Sequence, residues 1–164
     1  MKRLIIGGTR SGKSARALQL LMRSPEPRRM VVSGRPLDLS FRARILDHRA
    51  ERNPGIEVRE IGLELPEAVL EIDAGGVLAD SLDFWLFSWL ESGRTGAEAA
   101  ERLRSAIDAA RADEMILVSS EIGLGPLPAN RETREFADAL GSLNQAAAEA
   151  CDETMLVIAG RALR

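Results

Sequence analysis

The chain has 164 residues, of which 45% are apolar and 29% charged; this suits one compact domain over residues 1–164 and excludes a disordered or fibrous chain. The 22 Lys plus Arg residues stand against 25 Asp plus Glu, a formal charge of −3, which argues against a nucleic-acid platform with its basic face. Cys151 is the single cysteine, and there is no signal-peptide pattern after Met1-Lys2-Arg3 and no apolar run long enough to span a bilayer. A reduced, cytoplasmic setting without membrane contact is therefore expected.

Leu4-Ile5-Ile6 reads as a first strand, and it feeds Gly7-Gly8-Thr9-Arg10-Ser11-Gly12-Lys13-Ser14. The spacing G-x-x-x-x-G-K-S between a strand and a helix is that of a phosphate-binding loop. Glycines let the backbone curl so that successive N–H groups point at phosphate oxygens, and the helix starting at Lys13 adds its positive dipole end. Lys13 reaches the β and γ phosphates as a mobile charge, and the Ser14 hydroxyl can ligate Mg²⁺. Binding of a nucleoside triphosphate is the first inference.

The helix ends near Ser24-Pro25-Glu26-Pro27, where two prolines forbid continuation. Arg29 to Val32 is a second strand, opening into Ser33-Gly34-Arg35-Pro36 at the strand end where open parallel sheets place ligand contacts. Asp38 or Ser40 caps a helix to about Arg52, stopped by Asn53-Pro54-Gly55. Ile56 to Ile61 alternates apolar and charged residues as a more exposed third strand, with Glu60 on its polar side. Leu65-Pro66-Glu67 starts a helix expected to run to Ala74-Gly75-Gly76. Val77-Leu78-Ala79-Asp80 suits a buried strand that delivers Asp80 to the sheet edge, where a phosphate-loop protein keeps a Mg²⁺-ordering acid; a helix cap at Asp80-Ser81 is the alternative.

Most of the cluster Phe84, Trp85, Phe87 and Trp89 is expected to serve as core or subunit contact, with base stacking as the lesser alternative. After the loop Gly93 to Gly96, Ala97 to Arg111 is an amphipathic helix, and Met115 to Val118 is a buried strand ending in the polar loop from Ser119-Ser120-Glu121 to Pro128, with Glu121 as a candidate site residue. A helix from Glu132 to Ala150 buries Phe136, Leu140 and Leu143, and Thr154 to Ile158 closes the sheet. About six strands alternate with helices, which defines an α/β class with a mostly parallel sheet. The phosphate loop, Ser33, Asp80 and Glu121 all follow strands and so collect on one edge.

His48 is the chain's only histidine. On spacing, it shares a helix face with Phe41 and Ile45, as a packed residue would. Its neighbours Arg44, Asp47, Arg49, Glu51 and Arg52 form a polar crowd in which arginines can hold phosphates bidentately.

Taken together, several segments resemble the bifunctional adenosylcobinamide kinase / adenosylcobinamide-phosphate guanylyltransferase family. They are Gly7 to Ser14, Arg44-Ile45-x-x-His48-Arg49-x-x-Arg52, strand-ending Asp80, Ser120-Glu121-Ile122-Gly123-x-Gly125 through Pro128-x-Asn130-Arg131, Asn144-Gln145 and Ala159-Gly160. The resemblance covers nearly the whole chain in matching order. It implies a RecA-like P-loop NTPase fold, a homotrimer, a corrinoid substrate, and ATP or GTP used with Mg²⁺. It also implies two reactions: γ-phosphoryl transfer to adenosylcobinamide, then GMP transfer from GTP through a GMP-histidine intermediate. The matching histidine is His48, with Arg49 and Arg52 holding phosphate charge, Lys13 neutralising the leaving pyrophosphate, and Ser33 and Glu60 lining the guanine nucleotide site. The chain departs from the family's usual residues at Met30 to Ser33, Ser40-Phe41, Glu57 to Glu60 and Ser81-Leu82-Asp83, the last standing where Cys-Leu-Thr is often found. A small-molecule kinase of another pathway and a non-catalytic GTP-binding regulatory subunit are the competing readings.

Overall fold

A computed structural model describes residues 1–33, 55–126 and 128–163. The elements in chain order are β1 (Lys2–Gly7), α1 (Lys13–Leu21), β2 (Arg28–Ser33), β3 (Ile56–Ile61), α2 (Leu65–Leu70), β4 (Gly76–Asp80), α3 (Leu82–Glu91), α4 (Gly96–Ala109), β5 (Glu114–Ser120), α5 (Arg131–Ala150), β6 (Glu153–Ile158) and β7 (Arg161–Leu163). The helix expected between Asp38 and Arg52 lies outside the described residues, as do Gly34, Arg35, His48, Arg49 and Arg52.

The strands form one seven-stranded sheet in the order β3-β2-β4-β5-β1-β6-β7. All pairings are parallel except that of β6 with β7. The fold is the expected α/β class, a mostly parallel sheet flanked by helices in the manner of a P-loop NTPase. The expected count of six strands misses β7, which is only three residues long and fully exposed. Its hairpin turn is made by Ala159 and Gly160, both at positive φ (49° and 77°), the two-residue geometry that matches strand twist.

Strand alternation divides the core into two layers. Leu4, Val31, Val77, Ala79, Met115 and Leu117 face α2 to α5, whereas Ile5, Met30, Val32, Leu78, Ile116, Val118 and Val157 face Ala17 and Leu21 of α1. The β4 strand is buried along its whole length, because helices cover both sides of it. Arg3 ties the middle of the sheet together, pairing with Glu114 of β5 and Glu153 of β6 at 3.0 Å each.

Most of the aromatic cluster is core. Trp85 is fully buried, with its indole N–H donating to Leu63 O at 2.9 Å, and Trp89 donates to Thr95 O at 3.0 Å, so both rings lose their water without orphaning a donor. Phe87 is 49% exposed and meets Phe136 edge-on.

Two boundaries also differ from expectation. The α2 helix stops at Leu70, not near Ala74, because the Ile72 amide tightens onto Val69 O and the Gly76 amide is drawn to Pro25 O and Pro27 O. Gly75, at φ 79°, is pressed so close to this turn that a Cβ there would fall 2.0 Å from Pro27 O. Ser119 and Ser120 belong to β5 rather than to the loop after it. They pair with Ile6 and Gly7 of β1, and their hydroxyls are satisfied, Ser119 on Asn144 Oδ1 (2.6 Å) and Ser120 on Asp83 Oδ2 (2.8 Å).

Candidate active site

The loop from Gly7 to Ser14 joins the C-terminal end of β1 to the first turn of α1, as the motif requires. Ser11 N donates to Gly8 O at 3.2 Å and Arg16 N to Gly12 O at 3.0 Å. Lys13 folds back so that Nζ donates to the same Gly8 carbonyl at 3.3 Å. Glycine is compulsory at two of these positions. A Cβ on Gly7 would lie 2.4 Å from Val157 O, and Gly12 sits at φ 95° with Gly160 Cα 3.2 Å from its ideal Cβ position. Gly8, Thr9 and Arg10 are exposed at the tip, and Arg10 also takes a positive φ of 57°.

Two hydrogen bonds hold this curl from outside. Gly160 N donates to Ser11 O at 2.7 Å, and Glu121 N donates to Gly7 O at 3.1 Å. The β6–β7 turn and the exit of β5 therefore fix the two ends of the loop. Neither contact could be read from the spacing of the motif.

Across the edge, alternation decides which side chains share a face with α1. Leu78 faces α1, so Asp80, two residues on, does too; by the same count Gly7 follows Ile5 and Ser120 follows Val118. Asp80 is 9% exposed and pairs in register with Val118. One strand, β5, separates it from β1, about 10 Å at two strand spacings. Asp83, in the first turn of α3, reaches back to this face and accepts from the Ser120 hydroxyl. Sequence reading placed Asp83 only as a departure from the family pattern, and its position three residues after Asp80 was the available signal.

Other predicted residues are placed differently. Ser33 ends β2 with its hydroxyl buried and donating to Ser81 O at 2.5 Å, a bond that links β2 to the chain just beyond Asp80. Glu60 is exposed on β3, the edge strand, with the parity of Ile56 and Val58 and hence on the α1 side. It stands four strand spacings from β1, about 19 Å. Glu121 is half-buried, its carboxylate accepting from Gly123 N at 2.6 Å. The structure thus brings together the loop, Asp80, Ser120 and Asp83, and it does not bring Glu60 to the loop.

The buried side-chain atoms that lack a hydrogen-bond partner among the described residues are Ser11 Oγ, Arg16 Nε and Asp83 Oδ1. They lie in the loop, in the first turn of α1 and beside Ser120. Buried polar groups are almost always satisfied, so a bound ligand or water is the natural partner for these atoms. No cluster of three or more His, Cys, Asp or Glu residues capable of holding a metal exists among the described residues. A hydroxyl (Ser14) and one carboxylate (Asp80) are a donor set that suits Mg²⁺ bound chiefly through nucleotide phosphates. No helix among the described residues is long and apolar enough to cross a membrane.

Comparison with known proteins agrees with this geometry. Residues 3–164 match the family described as cobinamide kinase / cobinamide phosphate guanyltransferase. The chain is 33% identical over 165 residues to the bifunctional adenosylcobalamin biosynthesis protein CobP of Pseudomonas aeruginosa, covering 98% of this chain and 94% of that protein. It is 30% identical over 174 residues to the bifunctional adenosylcobalamin biosynthesis protein CobU of Salmonella typhimurium, covering 96% and 95%. The CobU protein of Escherichia coli is 29% identical over 178 residues, with coverage of 96% and 95%. The chain belongs to the cobinamide kinase / cobinamide phosphate guanyltransferase family and is a transferase.

Proposed function

We propose that this chain phosphorylates adenosylcobinamide with a nucleoside triphosphate and then transfers GMP from GTP to the resulting phosphate, releasing pyrophosphate. The observation that carries the reading is the phosphate loop, curled around Gly8 O and faced by Asp80 across β5, within a chain that matches the family over residues 3–164. In the proposed complex the backbone N–H groups of the loop and the first turn of α1 hold the phosphates. Lys13 leaves Gly8 O to neutralise charge on the leaving group. Ser14 and Asp80 would hold Mg²⁺, which supplies charge neutralisation between the phosphates.

For the second transfer, His48 attacks the α-phosphorus of GTP, and the cobinamide phosphate then takes the GMP from the imidazole nitrogen. Neutral imidazole is available near pH 7, and the covalent relay divides one displacement into two easier ones. Arg49 and Arg52 steady the phosphates, while Ser33, Gly34, Arg35 and Glu60 contribute the guanine side; a carboxylate accepts from the guanine N1 and N2 donors, which adenine lacks. The separation of Glu60 from the loop supports separate positions for the guanine end during GMP transfer and for the triphosphate during phosphorylation. The working unit is proposed as a cytoplasmic homotrimer of single-domain subunits.

The test is product analysis. Purified protein with adenosylcobinamide, GTP and Mg²⁺ is expected to form the cobinamide phosphate first and the GDP-cobinamide second. Formation of the phosphate alone would reduce the protein to a kinase, and saturable GTP binding with neither product would make it a binding subunit.

A further inference from the structure

Asp83 is the acidic group in the site with one oxygen already anchored and the other waiting for a donor. Its Oδ2 accepts from Ser120 Oγ at 2.8 Å, and Ser120 is the register partner of Gly7, the first residue of the phosphate loop. Its Oδ1 is buried and has no hydrogen-bond partner among the described residues. The side chain after it, Phe84, packs into the α1-side core, so the start of α3 leans over the face that holds the loop. Asp80, on the same face, is the carboxylate suited to the metal. Asp83 is left with a fixed orientation, a free lone pair and a place one strand from β1.

We infer that Asp83 receives the hydrogen bond of the substrate hydroxyl and takes its proton during phosphoryl transfer. This rests on the kinase reading given above. The hydroxyl oxygen forms its bond to the γ-phosphorus as the bond from that phosphorus to the bridging oxygen breaks, and the electron pair leaves with the nucleoside diphosphate. The hydroxyl proton passes to Asp83 Oδ1, from which water removes it after the product departs. Ser120 is the positioning residue that keeps Oδ2 occupied and Oδ1 turned toward the acceptor. GMP transfer to cobinamide phosphate has no hydroxyl proton to remove and so does not call on Asp83.

The experiment compares the full-length protein with Asp83→Asn in two assays: phosphate transfer from nucleotide labelled on the γ-phosphate to cobinamide, and GMP transfer from GTP to pre-formed cobinamide phosphate. A proton acceptor of this kind is expected to contribute about 100-fold. Asp83→Asn should therefore lower kcat for phosphorylation by about 100-fold, leave KM for nucleotide and the half-saturating Mg²⁺ concentration in place, and retain GMP transfer. Added formate should restore part of the phosphorylation by Asp83→Ala. A kcat close to that of the parent overturns the inference, as does a loss accompanied by a raised Mg²⁺ requirement or by an equal loss of GMP transfer. If Asp83→Asn lacks a cooperative thermal transition, Asp83→Thr is read by the same criteria. A parent protein that transfers no phosphate to cobinamide overturns the kinase reading and this inference together, whereas an active parent matched by its variant overturns this inference alone.

Discussion

The amide of Gly160 donates to the carbonyl of Ser11 at 2.7 Å, so the turn of the last hairpin braces the phosphate loop from the side opposite β5. A three-residue exposed strand has little packing of its own, and the bond explains what the turn contributes. Gly160→Pro removes the donor and imposes φ near −65° where 77° is needed. We expect a stability loss of about 2–4 kcal/mol, read by thermal melting, and about tenfold weaker binding of a non-hydrolysable GTP analogue.

Gly7 and Gly8 should respond oppositely to one methyl group. An alanine at Gly7 would drive its Cβ to 2.4 Å from Val157 O, whereas Gly8 has nothing within 4 Å of an added Cβ. Gly7→Ala is expected to cost about 1–3 kcal/mol through overpacking. Gly8→Ala should melt within about 0.5 kcal/mol of the parent, as measured by denaturant titration.

Lys13 and Asp80 separate phosphate charge from metal binding. Lys13→Ala should leave the melting temperature within a few degrees, since its ammonium donates to Gly8 O at the surface, yet lower both transfers by about 100-fold or more. Asp80→Asn should shift the Mg²⁺ dependence of both transfers to higher concentration. An Asp80→Asn protein with the parent's Mg²⁺ titration would remove that carboxylate from the metal site.

Glu114 provides a pH test away from the site. Burial raises the proton affinity of its carboxylate, but hydrogen bonds from Ser24 and Arg3 outweigh this and hold its pKa below the ordinary 4.5. A depressed carboxylate contributes stability above the ordinary pKa and loses it as pH falls through the depressed one. Glu114→Gln should therefore be about 1 kcal/mol less stable than the parent at neutral pH. The difference should close as denaturation is repeated below pH 4.5.

Much of this was legible in the sequence because each local signal agreed with its neighbours. Leu4-Ile5-Ile6 followed by a glycine-rich loop and a helix fixed β1, the loop and α1 together, and the apolar run ending in Asp80 marked a strand covered on both faces. Where the reading failed, a long-range partner had overridden local chemistry. Ser119 and Ser120 look like loop residues until Asn144 and Asp83 supply acceptors for their hydroxyls. The α2 helix looks longer until the turn at Pro25 and Pro27 captures Gly76. Asp83 follows the same rule: its position three residues after Asp80 hints at the site, but only the folded chain brings the Ser120 hydroxyl to its carboxylate. His48, Arg49 and Arg52 lie outside the described residues, and their roles rest on the family motif.

The central claim is that His48 carries the nucleotide. Incubating the protein with Mg²⁺ and GTP labelled on the α-phosphate, quenching in alkali and mapping the labelled peptide tests it directly. Acid-labile label is expected on His48, absent from His48→Ala and discharged on addition of cobinamide phosphate. Complete GMP transfer by His48→Ala, or label confined to another residue, would contradict it.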